Sequence, residues 1–560
     1  MVAAHRELTS RVRERLLRLP PPQTRDLLID RDLPVPMPDG VILRADRYVA
    51  RVGTPSRRPP TVLVRTPYGR TGTWALLYGP ALAERGFQVI LQSVRGTGGS
   101  EGTFNPRFQE RDDGLATVRW IRAQPWFGDR LAGAGISYLG YTLWAIADEA
   151  ELDAVCLQAT MPSLAEPLFD GGSFALNLAL PWTVMVTRSR SLRSRLRNRL
   201  PDKDLRNGLD RLPLADSDRA TLGQSVGFYQ DWLAHPPDDP YWAGQSHTAR
   251  VPSLTAPVSM RTGWYDAYLP WMLRDYAALA AAGNPPRLTI GPWGHVSPGL
   301  LRGIPRETVD FLSEHLLQAP PRTGGSVRFH VTGAQEWRIA DTWPPPGVTD
   351  QVWSLAGAGE LIGPSAPGRR SVPGAWNGSV TPSGHASVFR YDPAAPTPAV
   401  GGPSLLADET SVDNRELEAR ADVLVFTTLP LAGDLDVIGT PRARLTVSAD
   451  NRYHDVFVRL CDVYPDGSSM NLSGRLVRLD DVEPGPDGTR VATLELWPLA
   501  HRFAAGHRVR LQVSGGAHPW YARNPGTGEP LATATATRPT VVAVHHDADH
   551  LSTLTLPVAL

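Results

Sequence analysis

The chain has 560 residues, too many for one hydrophobic core and enough for two or three domains. Its 57 Lys and Arg balance its 57 Asp and Glu, so no net field draws it to nucleic acid or to an anionic membrane. With only Cys156 and Cys461, a disulfide framework is excluded and a reducing compartment is expected.

The chain opens on MVAAHRELTSRVRERLLRLPPP, where arginines interrupt every apolar stretch. This pattern predicts an amphipathic helix closed by Pro20 to Pro22, not a signal peptide, and residues 1–30 read as a helical extension. No run is apolar enough to cross a bilayer, so a soluble cytoplasmic protein is expected. Across 31–162 and again across 251–317, short β-rich runs such as TVLVRTP, FQVILQSV and DAVCLQAT alternate with helical stretches, predicting a largely parallel α/β sheet. Between them, 163–250 loses its strand patterns and reads as an inserted helical cap, with the arginine-rich run RSRSLRSRLRNRL as an exposed helix face. After a Pro- and Gly-bearing linker near Gln318 to Gly325, residues 325–560 show short alternating strands separated by turns, predicting a β-sandwich or jelly roll. The fold class is therefore α/β, with a cap and a C-terminal β-sandwich domain.

The stretch LAGAGISYLGY, 131–141, predicts a strand, a sharp bend carrying Ser137, and a helix. Two later strand-like runs end at Asp266, in RTGWYDAYL, and at His295, in LTIGPWGHV. Serine, acid and base in this order suit nucleophilic catalysis on an α/β-hydrolase sheet, since serine needs a base to take its proton and the base needs a carboxylate to hold it. Two other patterns carry less. RGTGGSEG, 95–102, lacks the Lys-Ser/Thr ending of a phosphate loop and reads as a tight loop after the second core strand. His501, His507, His518, His545, His546 and His550 lack paired ligand spacing and read as surface histidines, so no metal is expected. Lys203 is the sole lysine, which removes candidates for Schiff-base chemistry; no cofactor is expected.

PMPDGVILRADRY, VRTPYGR, SVRGTGGSEGTF, IRAQPWFGDRLAGAGISYLG, TGWYD and GPWGH together resemble the cocaine esterase and X-prolyl dipeptidyl aminopeptidase (CocE/NonD) family of serine hydrolases. The resemblance implies an α/β-hydrolase with a jelly-roll domain, Ser137 as nucleophile, His295 as base and Asp266 as acid. It further implies an oxyanion hole made by the backbone N–H of Tyr138 and the phenol of Tyr68. In the branch acting on α-amino acid esters, carboxylates are expected just beyond the catalytic acid; here Asp266 is followed by Ala267, Tyr268, Leu269 and Pro270. Asp170 in the cap could add only one such charge. A neutral, apolar acyl or aryl ester is therefore expected, in a pocket walled by Trp144, Phe169, Trp182, Tyr265 and Tyr268.

The expected activity is hydrolysis of a small-molecule ester or amide through an acyl-enzyme. An acyltransferase of secondary metabolism using the same intermediate, an X-Pro dipeptidyl peptidase and a non-catalytic binding protein are the alternatives, and a homodimer is left open. A binding protein would have no need of Ser137, Asp266, His295 and Tyr68 together.

Overall fold

The computed structural model describes residues 2–51, 58–189, 202–363, 385–405 and 410–559. Ten strands form the N-terminal sheet: β1 (Leu27–Pro36), β2 (Ile42–Ala50), β3 (Thr61–Thr66), β4 (Gln88–Ser93), β5 (Leu131–Ile136), β6 (Ala154–Gln158), β7 (Val258–Tyr265), β8 (Arg287–Gly294), β9 (Val327–Val331) and β10 (Glu336–Ala340). Their spatial order is β1-β2-β4-β3-β5-β6-β7-β8-β9-β10, with every pairing from β4 to β9 parallel and the pairings outside that span antiparallel. Strands β3 to β7 are buried along their whole length, the reason they read as unbroken apolar runs and not as alternation.

Helices cover both faces. The extension is α1 (Val2–Leu16), followed by α2 (Thr73–Ala83), α3 (Glu110–Arg122) and α4 (Tyr138–Trp144). The cap supplies α5 (Ala165–Leu168), α6 (Leu176–Ser189), α7 (Asp202–Leu209), α8 (Ser217–Leu222) and α9 (Gly227–Ala234), and the sheet resumes around α10 (Leu269–Ala281) and α11 (Pro298–Leu316). Leu77 of α2 and Leu300 and Ile304 of α11 pack on one side; Ile121 of α3 and Met272 of α10 pack on the other. Arg13 of α1 forms a buried ion pair with Glu84, which docks the extension beside the end of α2. Most of the arginine-rich cap run lies outside the described residues.

Three expectations change. First, β1 already begins at Leu27, inside the span assigned to a helical extension, because its register with β2 runs from Leu27 opposite Ala50. Second, β9 and β10 follow the expected linker yet extend the α/β sheet: Leu288, Thr289 and Ile290 of β8 pair with Val327, Arg328 and Phe329. The sandwich therefore starts only after them. Third, two of the six histidines expected at the surface are buried, while His507, His545, His546 and His550 are partly exposed. His501 is buried against Asp462 (3.1 Å) and Thr332 (2.8 Å), and His518 is buried against Asp210 (3.0 Å). His545, Asp547 and His550 do converge, within 4.8 Å, and both ring nitrogens of His550 are taken by Asp487 (2.8 Å) and Asp547 (3.0 Å). Among the described residues, no helix is long and apolar enough to cross a membrane.

The C-terminal domain is a jelly-roll-like sandwich of mainly antiparallel strands, and its strand 455–463 shows how it joins the rest. Val456, Val458 and Leu460 face the sandwich core, whereas Phe457, between them, joins the core shared with the α/β domain and cap. Period-two alternation thus buries both faces, each against a different domain. Asp170, at the end of α5, accepts from Arg475 (2.5 and 2.8 Å) and from the Tyr521 hydroxyl (2.6 Å) of the sandwich. Its buried carboxylate is neutralised there, so it is unavailable to hold a substrate ammonium. Removing one partner of such a pair leaves an uncompensated charge, costing about 3 kcal/mol where some solvent reaches the survivor. Asp170→Asn should lower the urea midpoint accordingly; an unchanged midpoint would show that the pair does not couple cap and sandwich.

Candidate active site

Ser137 sits between β5 and α4 with φ 55° and ψ −125°, a conformation an L-residue holds only when its surroundings over-determine it. They do so here. The Ser137 N–H donates to the carbonyls of Gln158 (2.9 Å) and Ala159 (3.0 Å), and its carbonyl accepts from Tyr141 N–H (3.0 Å) and the Thr160 hydroxyl (2.7 Å). A Cβ at Gly135 would lie 2.4 Å from the Leu139 carbonyl carbon, and one at Gly140 2.6 Å from Thr160 Cβ. Both glycines are therefore required by close approach, which explains the Gly-x-Ser-Tyr-x-Gly spacing.

Asp266 follows β7 and His295 follows β8, and these strands are adjacent, with Tyr265 opposite Gly294. The carboxylate and ring thus meet at their ends: His295 Nδ1 is 2.9 Å from Asp266 Oδ2. Asp266 is fully buried, and its other oxygen accepts from the Tyr268 N–H at 2.8 Å. The Tyr268 ring stands edge-on to the His295 ring, centroids 5.2 Å apart, while its phenol faces Ser137. The Tyr68 phenol faces Ser137 as well, and accepts from Trp182 Nε1–H at 3.0 Å. Burial pushes the Tyr68 phenol up to about 12, so it stays protonated and able to donate across the neutral range. A cavity of about 790 Å³ opens beside Tyr68, between the glycine-rich loop 96–100 and Thr187 and Gln224 of the cap.

Of the expected pocket residues, the structure brings Trp182 and Tyr268 to Ser137 and its neighbours. Trp144 is a core side chain at the end of α4, Phe169 packs edge-on against Phe174 and Trp242, and the Tyr265 phenol faces Ser411 of the C-terminal half. With Asp170, these are spent on packing and pairing.

Tyr138 contributes differently at its two ends. Its N–H belongs to the first turn of α4, whose N–H groups have no intrahelical acceptor. Its phenol runs inward, donating to Glu110 (2.8 Å) and accepting from Arg107 N–H (3.0 Å), with its ring stacked on Trp182 at 9°. Burial raises the Glu110 carboxyl, opposed by Arg65, 3.0 Å away, and by the Tyr138 hydrogen bond. Sequence reasoning missed this network and, with it, Arg107, because one more arginine is unremarkable in a chain whose cations are nearly all arginine. Tyr138→Phe is consequently not a silent change: it strips a hydrogen bond from a buried carboxyl and should cost about 1–3 kcal/mol. Urea unfolding at constant m would read this loss, and wild-type stability would show that the phenol is dispensable.

Residues 39–297 match the X-Pro dipeptidyl-peptidase (S15) family, and residues 322–555 match the X-Pro dipeptidyl-peptidase C-terminal non-catalytic domain. The chain is 29% identical to cocaine esterase of Rhodococcus sp. (strain MB1 Bresler) over 581 residues, 94% of this chain and 97% of the esterase. In fold it is similar to an aminopeptidase from the marine sediment archaeon Thaumarchaeota archaeon, at 24% identity and TM-score 0.77, covering 96% of this chain and 97% of the other. It is equally similar to an α-amino acid ester hydrolase, at 20% identity and TM-score 0.78, covering 95% and 97%.

Proposed function

The chain belongs to the X-Pro dipeptidyl-peptidase (S15) family of serine hydrolases, and on that premise we propose that it cleaves a small-molecule ester through an acyl-enzyme on Ser137. The observation that carries the reading is the 2.9 Å contact of His295 Nδ1 with the buried Asp266 carboxylate, formed at the ends of parallel strands on the edge where Ser137 sits. With Nδ1 engaged by Asp266, Nε2 of His295 is the base that takes the Ser137 proton as Oγ attacks the ester carbonyl. The carbonyl oxygen then carries the charge, and the Tyr68 hydroxyl and the Tyr138 N–H are its donors. Trp182 N–H, donating to the Tyr68 oxygen, leaves the phenolic proton for that purpose. Collapse of the intermediate expels the alcohol, protonated by His295, and water releases the acid from Ser137 by the same steps in reverse.

The esterase reading is preferred to an X-Pro dipeptidyl peptidase because a free amino terminus needs an available carboxylate beside the nucleophile. Asp170 is paired with Arg475, and Glu110 with Arg65 and Tyr138. The similarity to cocaine esterase also favours an ester.

Ser137→Ala should abolish turnover of 4-nitrophenyl butyrate and the acyl adduct that mass spectrometry finds on Ser137 of the native enzyme. An adduct on another residue, or turnover without Ser137, would overturn the assignment. Tyr68→Phe keeps the ring and deletes one donor, so kcat should fall about 10²–10³-fold with a smaller change in KM, because the ground-state carbonyl carries little of the stabilised charge. A change confined to KM would make Tyr68 a binding residue instead.

A further inference from the structure

Arg107 lies in the loop before α3 with φ 76° and is 3% exposed. Its guanidinium carbon stands over three rings, those of Tyr141 (5.0 Å), Tyr138 (5.1 Å) and Trp182 (5.6 Å). Trp182 in turn donates to the Tyr68 phenol, and Tyr68 faces Ser137, so the cation is placed two side chains from the proposed nucleophile. Its charge is felt at both phenols that face Ser137, opposing the rise that burial gives Tyr68 and Tyr268.

The cation is incompletely paired. Nε and Nη1 of Arg107 are buried without a hydrogen-bond partner, and among the described residues no carboxylate lies within ion-pair distance of it. The nearby anions serve other cations: Glu110 pairs with Arg65 at 3.0 Å, and Asp113 with Arg95 at 2.6 Å. Two buried arginines, Arg65 and Arg107, thus face one buried carboxyl, Glu110, and the balance is a positive charge at the site. Aromatic faces offset part of the cost of burying a cation but accept none of its hydrogen bonds in the ring plane. A buried charge with unmet donors is expensive unless something completes it.

We propose that Arg107 is a specificity-determining residue of this site and that the preferred substrate is an ester carrying a carboxylate, which supplies the missing anion. This rests on the reading of Ser137 as nucleophile, and replaces the neutral-ester expectation drawn from the residues beyond Asp266. The carboxylate could stand on the acyl chain or on the leaving group, and the substrates of the test separate the two.

The experiment compares kcat/KM for two matched pairs: mono(4-nitrophenyl) glutarate against 4-nitrophenyl pentanoate, and 4-acetoxybenzoate against its methyl ester. Native enzyme should prefer the anionic member of one pair by about tenfold or more, the scale of a hydrogen bond to a charged group in a buried site. Arg107→Met should abolish that preference, and Arg107→Lys should retain part of it. Preference for the neutral member in both pairs, or an anionic preference that survives Arg107→Met, would overturn the proposal. If Arg107→Met does not fold, the native preference together with its reduction in Arg107→Lys decides in the same way. Hydrolysis of neutral esters alone, dependent on Ser137, sinks only the role of Arg107. Failure to turn over any of the four esters sinks the esterase reading itself.

Discussion

The backbone of Ser137 is the constraint from which the rest of the site follows. A left-handed residue at the end of a buried parallel strand costs about 1–3 kcal/mol, and it stays in place here because four hydrogen bonds from β6, α4 and the loop after β6 hold its peptide groups. That turn reverses the chain sharply enough to lift one hydroxyl above the sheet edge while α4 begins immediately beyond it. The same geometry leaves the first N–H of α4 without an intrahelical acceptor beside that hydroxyl. Gly135 admits the Leu139 backbone and Gly140 the Thr160 side chain, so both belong to the elbow as much as the serine does.

Around this elbow the walls come from three parts of the chain. Strands β7 and β8 deliver Asp266 and His295 to the same edge, the α2-side loop delivers Tyr68, and the cap delivers Trp182, whose ring stacks on Tyr138 and whose N–H holds the Tyr68 phenol. The cap is itself held from behind. Asp170 is clamped by Arg475 and Tyr521, and the backbones of Phe174 and Asn177 exchange hydrogen bonds with Ala522 and Pro519 of the sandwich. The C-terminal domain thus acts on the site at a distance, by setting where α6 and Trp182 stand. The sandwich shares one continuous core with the other two parts, through Phe457, Leu476, Trp497 and Trp520, which is the physical basis for that rigidity.

Buried charge separates this site from a purely apolar pocket. Arg65 and Tyr138 both engage Glu110 beneath the elbow, and Arg107 joins the set without a carboxylate of its own among the described residues. In a medium of low polarisability such an imbalance acts strongly on whatever enters, more so than the many paired arginines on the surface.

Much of the scaffold was legible in the sequence, for reasons tied to period and turn chemistry. Fully buried strands such as TVLVRT and LAGAGI read as apolar runs, the glycines of GISYLG mark a turn no other residue fits, and Asp266 and His295 stand just after strand patterns in the order an α/β-hydrolase needs. What the sequence could not determine is which side chains share a space, since that depends on strand register and on how separate domains dock. Asp170 and Tyr265 look like pocket residues in the chain and turn instead to the sandwich. β9 and β10 read as the first strands of the sandwich and instead join the α/β sheet, a choice made by pairing with β8 and not by composition. Arg107 is one arginine among many until the fold removes it from water and leaves its donors unmet over the rings of Tyr138, Tyr141 and Trp182. Local sequence sets backbone shape because its causes are local; the charge and contents of the site are decided by contacts between distant segments, and only the tertiary structure holds those.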